Sequence, residues 1–223
     1  MAHPKAGYRN ATNKRVPGVT TVIGRFKDSG GLLWWAFDQG KAAERGEINS
    51  LYDKRDAAAD AGTLAHSMVE AHVLNEDPLD ILVDIADMEI RDQAHQAFQS
   101  YLNWESMTTL KIIDQEMSLV SEKYNFGGTP DAIGEVNGEL CLVDWKTSNK
   151  VYPDMMIQLA AYKLLVHECT DYKLTGGFHL CRFSKEHGDF THHYWSELDE
   201  AWEQFKLFLK AYQIDKRLKK RVG

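Results

Sequence analysis

One dipeptide, Asn137-Gly138, constrains the fold of this 223-residue chain more than any other feature of its sequence. It separates two runs of β-prone residues, 127–136 and 139–145. Asn-Gly in that position favours a two-residue turn because both residues adopt positive φ angles readily. The sequence therefore predicts a tight β-hairpin, and a turn of that length fixes how the two strands pair.

The predicted pairing brings two acidic residues together. Val136 lies opposite Glu139, and counting back along both strands places Asp131 opposite Asp144, provided that neither strand contains a β-bulge. The neighbouring residues are mostly apolar, so we expect buried strands in which two carboxylates repel each other and lose hydration. A hard divalent cation relieves that conflict, because Mg²⁺ takes carboxylate oxygens as ligands. The alternative is an exposed edge strand on which Asp144 pairs with a lysine.

Lys146 adds a third charged group to this pair. Side chains alternate along a strand, so Lys146 and Asp144 share one side while Trp145 points to the other and can anchor the strand. An ammonium group beside a water that a cation activates can orient that water or help to take its proton. This arrangement predicts a site for hydrolysis, with phosphodiesters as the natural substrate.

Hydrophobic periodicity organises the rest of the chain around the hairpin. Helical patterns occur at 30–46, 56–75, 84–105, 153–168 and 197–223, and strand-like alternation at 111–124, 175–183 and 189–196. This order predicts the α/β class, with a mixed central sheet flanked by helices and an N-terminal helical elaboration. We expect a single domain, 1–223, with the elaboration at about 1–60, a core at about 61–196 and a C-terminal helix at 197–223.

The predicted helix at 30–46 has an apolar stripe made of Leu33, Trp34 and Phe37. We expect Trp34 and Trp35 to be core residues, and the alternative is that they stack on nucleic-acid bases. The second interpretation makes the segment 24–60 a helical wall that guides single-stranded DNA. Its basic and aromatic residues would provide charge and stacking surfaces: Arg25, Lys27, Trp34, Trp35, Lys41 and Arg45.

Composition excludes several classes of protein. With 43% hydrophobic and 26% charged residues, the chain is globular rather than disordered. It contains no apolar run of the roughly 20 residues that a membrane span needs, and no apolar secretory signal, so we expect a cytoplasmic protein of a bacterium or a phage-infected host. A net charge of −7 excludes a nucleic-acid coat but not an enzyme with a local basic path. The basic segment 216–223 is either a solvated helix end or a tail that contacts phosphates.

Several short motifs resemble those of the PD-(D/E)XK nuclease superfamily. They are GTPD at 128–131, VDWKTS at 143–148 and QLAAY at 158–162. The Gln-x-x-x-Tyr spacing resembles the RecB-like branch, as do GTLAH at 62–66 and VTTVIG at 19–24. The motifs occur in the family order over most of the chain. Within this branch the chain is similar to phage and bacterial exonucleases and to the mitochondrial genome maintenance exonuclease.

The resemblance implies an α-β-β-β-α-β core and a set of site residues. It implies these metal ligands: His66, Asp131, Asp144, the backbone carbonyl of Trp145 and, as a further candidate in the first strand, Glu116. Lys146 corresponds to the catalytic lysine. Gln158 and Tyr162 correspond to a helix pair that supports the site and contacts DNA, and their i, i+4 spacing places them on one helix face.

The resemblance also implies the activity. We expect a DNA exonuclease that uses one or two Mg²⁺ or Mn²⁺ ions, acts on DNA ends, prefers single strands and serves recombination, repair or replication with a protein partner from one of those processes. Cys141, Cys169 and Cys181 do not match the four-cysteine pattern of relatives with an iron–sulfur cluster, so we expect no cluster. The alternatives are a structure-specific endonuclease on the same core and a catalytically silent DNA-binding module.

Overall fold

The computed structural model describes residues 7–27, 30–47, 53–184 and 189–222. Parts of the predicted N-terminal wall, at 28–29 and 48–52, and the last residue of the basic segment lie outside these ranges. The helices are α1 (Val19–Gly24), α2 (Gly30–Glu44), α3 (Asp53–Val73), α4 (Met88–Ser106), α5 (Pro153–Cys169) and α6 (Asp199–Val222), with a short 3₁₀ helix at Pro78–Leu82. The strands are β1 (Lys111–Gln115), β2 (Leu119–Ser121), β3 (Phe126–Gly128), β4 (Ala132–Val136), β5 (Glu139–Lys146), β6 (Phe178–Phe183) and β7 (Phe190–Trp195).

Five of these strands form the central sheet, in the order β1-β4-β5-β6-β7. The β5–β6 pair is parallel and the other three pairs are antiparallel, because α5 crosses over between β5 and β6. The strands β2 and β3 form a separate two-stranded ribbon. The predicted class, a mixed α/β sheet flanked by helices, is confirmed.

The β4–β5 hairpin has the predicted register. Val136 pairs with Glu139, and the pairing continues without a bulge to Ala132 and Val143. Asn137 and Gly138 have φ angles of 53° and 84°, as a tight hairpin turn requires. The Thr109 hydroxyl donates to Asn137 Oδ1 (2.8 Å) and accepts from the Asn137 backbone amide (2.9 Å), so the turn is also tied to the connection between α4 and β1.

Helices cover both faces of the sheet. On one face α1, α5 and α6 pack against side chains such as Leu142 and Leu180. On the other face α3 and α4 pack against the alternate residues of the same strands, including Val143 and Trp145. Trp145 therefore anchors β5 in the α3–α4 layer, as alternation predicts, and Asp144 points toward the α5 layer. None of the described helices combines the length and apolar composition that a membrane span requires.

Two runs that the sequence pattern predicts as single strands are divided. The run 111–124 breaks at Glu116, whose positive φ of 52° turns the chain out of β1 and into the separate strand β2. Glu116 is therefore not a residue of the first strand, where the sequence placed it. The run 127–136 breaks between β3 and β4, where Pro130 has no N–H to give to a ladder.

Helix α2 differs from expectation in its packing. Leu33, Trp34 and Phe37 are 68%, 71% and 54% exposed, so the prediction that Trp34 is a core residue is wrong. Periodicity identifies an apolar stripe but not whether another element covers it. The Lys41 ammonium lies 4.3 Å from the centre of the Phe37 ring, which adds a positive charge to this exposed face.

Candidate active site

The open end of the β4–β5 hairpin, opposite its turn, brings Asp131 and Asp144 together. Asp131 directly precedes β4 and Asp144 lies in β5, one position beyond the last paired residues. The two residues are only 7% and 1% exposed. The Trp145 amide donates a hydrogen bond to Asp131 Oδ2 (3.0 Å), so the backbone of β5 fixes the Asp131 carboxylate in place. The strand register thus produces the predicted pair of buried acids.

Lys146 lies between the two carboxylates. Its Nζ is 2.5 Å from Asp144 Oδ2 and 3.9 Å from Asp131 Oδ2. Its side chain is only 20% exposed, so the ion pair is shielded from solvent. Of the two interpretations that the sequence left open, this geometry excludes an exposed edge strand with a surface ion pair.

The surroundings change the acidity of both partners. Burial, and then the negative charge of Asp131, raise the pKa of Asp144 to about 7, although Lys146 and His66 act in the opposite direction. Burial alone lowers the pKa of Lys146, but the attraction of Asp144 and Asp131 outweighs burial and raises this pKa overall. Lys146 and His66 therefore only partly offset the cost of burying a negative charge on Asp144.

His66 approaches the acids from the α3 layer. It is 8% exposed, and its Nδ1 lies 4.0 Å from Asp131 Oδ2. The ring is 6.2 Å from the indole of Trp145, centre to centre. Helix α3 thus brings His66 to the open end of the hairpin, close to Asp131, as the sequence predicts.

Gln158 and Tyr162 approach from the opposite layer on one face of α5. Gln158 Nε2 donates to the Tyr162 hydroxyl (2.8 Å). Tyr162 is 2% exposed, and burial followed by the charges of Asp131 and Asp144 raises its pKa well above the usual value. The phenol therefore stays protonated beside the acids. Of this pair, only Gln158 reaches partly to the surface.

Glu116 reaches the site through its backbone. Its amide donates to the Asp131 carbonyl oxygen (3.1 Å), which holds the turn after β1 against the start of β4. The predicted roles of the Glu116 carboxylate and of the Trp145 carbonyl as metal ligands stay predictions.

Sequence reasoning missed Tyr8. Its hydroxyl hydrogen-bonds to the hydroxyl of Thr129 (2.9 Å), two residues before Asp131. The signal that indicates it is the pair Gly127-Gly128 inside a strand, since consecutive glycines there mark close approach by other groups. A Cβ on Gly127 would come within 2.4 Å of the Tyr8 ring, and one on Gly128 within 2.7 Å of the Tyr162 ring.

The donor groups of the site suit a divalent cation, and Lys146 is the positive charge closest to Asp144. Within residues 7–27, 30–47, 53–184 and 189–222, no three His, Cys, Asp or Glu side chains lie close enough to hold a metal ion as they stand. Among the same residues, however, Asp144 Oδ1 is buried without a hydrogen-bond partner. An acceptor oxygen of this kind, on a carboxylate beside a second carboxylate, fits a hard divalent cation.

Two known proteins resemble this chain over part of its length. Mitochondrial genome maintenance exonuclease 1 of Homo sapiens is 27% identical to the chain over 111 residues. That alignment covers 46% of the chain and 32% of the human protein, so the chain spans about a third of that relative. The crystal structure of SSO0001 is 17% identical and has a TM-score of 0.29, covering 67% of this chain and 74% of that one. Similarity at that TM-score supports no inference.

The match to a family is much more extensive. The family described as the PD-(D/E)XK nuclease superfamily matches residues 42–218, which is most of the chain. The matched range contains α3 with His66, the hairpin with both aspartates and Lys146, and α5 with Gln158 and Tyr162. This chain belongs to the PD-(D/E)XK nuclease superfamily.

Proposed function

We propose that the protein is a metal-dependent DNA exonuclease that hydrolyses phosphodiester bonds at DNA ends. The observation that carries this proposal is the buried Asp131–Asp144 pair with Lys146 between the two carboxylates. Nucleases of this superfamily generally use divalent metal ions, and the family implies DNA as the substrate. The similarity to a genome maintenance exonuclease supports the choice of an exonuclease and a role in recombination, repair or replication.

Each residue of the site has a proposed task. Asp131 and Asp144 hold Mg²⁺ or Mn²⁺, with His66, the Trp145 carbonyl and Glu116 as further ligands or supports. When bound, the cation supplies Lewis-acid chemistry, since it neutralises phosphate charge and lowers the pKa of water. The Lys146 ammonium, beside both carboxylates, would orient the attacking water and stabilise the negative charge that develops on the scissile phosphate.

The layer made by α5 fixes the geometry of these groups. Tyr162 remains a neutral phenol against Gly128 and accepts the hydrogen bond from Gln158, so Gln158 is held at the rim of the site. From there the Gln158 amide can contact the DNA backbone. A rigid support of this kind matters because displacements of about 1 Å reduce rates strongly.

Helix α2 is the proposed guide for single-stranded DNA. Trp34 and Phe37 are exposed aromatic rings, and Lys41 adds a cation beside them. Exposed aromatic and basic groups together are typical of surfaces that bind single strands by stacking. Trp34→Ala should weaken binding of single-stranded DNA several-fold and leave hydrolysis of a mononucleotide ester unchanged. Unchanged DNA affinity would contradict this part of the proposal.

The decisive experiment is a digestion assay with four substrates: linear and closed-circular DNA, each single- and double-stranded. We expect loss of linear DNA only, with single strands degraded fastest, in Mg²⁺ or Mn²⁺ and not in EDTA. Cleavage of circles would instead establish the endonuclease alternative. DNA binding without cleavage under every condition would favour the silent DNA-binding module.

Variants connect that assay to the site. Lys146→Met should lower the rate by at least roughly 100-fold, as expected when a charged group that acts in the transition state is removed. Lys206→Met on α6 is the matched control, because Lys206 pairs with Glu203 away from the hairpin, and it should retain full activity. Full activity of Lys146→Met would refute the assignment of the site.

A further inference from the structure

A second cleft lies outside the carboxylate site. It has a volume of about 410 Å³ and is formed by the N-terminal segment, the start of α1 and the C-terminal half of α6. Its walls include Tyr8, Arg15, Thr21, Tyr212 and Lys216. None of the described residues that line it is acidic. The cleft therefore combines two cations, two aromatic rings and hydroxyl donors without a negative charge.

Among the residues that the structure describes, the two cations of this cleft form no ion pair. Within the described part of the chain, neither Arg15 nor Lys216 has an ion pair within 4.0 Å. The nearest acidic residue in sequence to Lys216 is Asp215, which binds Arg25 (3.1 Å) and Lys219 (3.2 Å) instead. Their positive charge is consequently available to a ligand, in an overall acidic protein whose net charge is −7.

Tyr8 links the cleft to the carboxylate site. Its ring packs on Gly127, and its hydroxyl bonds to Thr129, which is two residues before Asp131. One side chain thus forms part of the cleft wall and contacts the loop that carries a proposed metal ligand. A chain-like ligand that occupies both places would pass along Tyr8.

We propose that this cleft binds a backbone phosphate of the single-stranded DNA that runs to the carboxylate site. Arg15 and Lys216 contact the phosphodiester, and Tyr8 and Tyr212 provide the aromatic walls. Cations interleaved with aromatic rings are typical of single-strand binding. The inference rests on the proposed function. It assigns a phosphate contact to Lys216, the first residue of the basic C-terminal segment.

The test is the double variant Arg15→Gln/Lys216→Gln. Its affinity for a labelled single-stranded oligonucleotide is measured by fluorescence anisotropy in EDTA over a range of salt concentrations. We expect binding roughly tenfold weaker than for the unaltered protein, and a salt dependence reduced by about 0.7 in the log–log slope, because the cleft neutralises one phosphate and each neutralised phosphate contributes roughly 0.7.

A charge-matched control is Lys111→Gln/Lys173→Gln, which removes two exposed positive charges outside the cleft. If both double variants lose the same affinity and slope, the cleft has no special role and the proposal is overturned. Oligonucleotides with a 5′-phosphate or a 5′-hydroxyl distinguish two sources of the ligand. If the double variant loses affinity equally for both oligonucleotides, the ligand is a backbone phosphate. If it loses affinity only for the 5′-phosphorylated oligonucleotide, the ligand is a terminal phosphate and the proposal is overturned.

This design also separates the inference from the proposed function. Failure of the unaltered protein to cleave DNA with any metal would defeat the exonuclease proposal, whereas the metal-free binding comparison decides the cleft by itself.

Discussion

The two ends of the β4–β5 hairpin show opposite relations between charge and burial. At the turn, Asn137 and Gly138 are exposed, adopt the positive φ angles that suit them, and are tied to Thr109 by two hydrogen bonds. At the open end, Asp131 and Asp144 are buried, and Asp144 Oδ1 has no hydrogen-bond partner among the described residues. The turn of the hairpin therefore meets the conformational preferences of its residues, whereas the open end buries charged groups that prefer water.

This difference teaches where stability and function are located in the hairpin. The turn directs the pairing of the strands, and that pairing forces two acids together in an apolar environment where the fold alone would not favour them. Residues that oppose stability in this way tend to be the ones that act on substrates. The comparison predicts that changes at the open end affect activity most, and that changes at the turn affect stability alone.

Asp144→Asn is the variant with the largest expected effect. Hydrolysis of DNA should fall by roughly 1,000-fold or more, because a ligand charge for the proposed cation is lost. At pH 8 in EDTA the variant should be at least as stable as the unaltered protein, since the neutral amide is not penalised by burial and Lys146 keeps Asp131 as a partner. Initial rates and urea unfolding measure both quantities.

Asp171→Asn, at an exposed position outside the helices and strands, serves as the control and should change neither quantity. If Asp144→Asn lost stability together with activity, the open end would be a structural ion pair and the contrast between the two ends would disappear.

The pH dependence of stability should show the same contrast. The pKa of Asp144 rises from 3.8 to about 7 on folding, so its contribution to stability is fully present below pH 3.8 and is lost as pH rises to about 7. Each unit of pKa difference corresponds to about 1.4 kcal/mol. The free energy of unfolding, measured with urea in EDTA, should therefore fall by a few kcal/mol between pH 3.8 and about 7 because of Asp144. In Asp144→Asn the decline should be absent, and Mg²⁺ should reduce it in the unaltered protein.

At the turn, Asn137→Ala should lower the free energy of unfolding by about 1–2 kcal/mol. Alanine tolerates the positive φ poorly and cannot accept the hydrogen bond from Thr109. Asn137→Gly separates the two causes, because glycine keeps the φ angle and loses only the side chain. We expect a smaller loss for glycine than for alanine, and unaltered nuclease rates for both. A fall in rate would mean that the turn controls the geometry of the open end.

The smallest effect is expected for Tyr162→Phe. Gln158 loses the acceptor that holds its amide, so the rate of DNA hydrolysis should fall about threefold to tenfold with little change in melting temperature. Tyr194→Phe, at an exposed position of β7, is the control. A loss as large as that of Asp144→Asn would indicate that the phenol takes a direct part in the reaction.

Much of the site could be predicted from the sequence because its geometry is local. A two-residue turn determines the strand register, and alternation then places Lys146 with Asp144 and Trp145 on the opposite face. The i, i+4 spacing likewise determines that Gln158 and Tyr162 meet.

The features that the sequence missed depend on contacts between distant segments. The break at Glu116 is stabilised by a hydrogen bond to Asp131, and Tyr8 packs on a glycine more than a hundred residues away. The segment Val19–Gly24 is rich in β-branched residues but forms α1, since its buried side chains join the core beside α5. The exposed stripe of α2 could not be assigned either, because periodicity does not identify the element that covers a face.

The parallel pairing of β5 with β6 has a consequence for the order of folding events. The two aspartates can approach through the short hairpin, but their burial also needs α5 and β6, and Asp144 pairs with Leu180 only after that long crossover. We therefore expect the two carboxylates to lose their hydration in a late step, after the folding transition state. Removing the charge should then slow unfolding and leave the refolding rate nearly unchanged. Stopped-flow measurements on Asp144→Asn should show a shift of the unfolding limb of the chevron and no shift of the refolding limb. The lifetime of the native state would then depend on the positive charge that lies between Asp131 and Asp144.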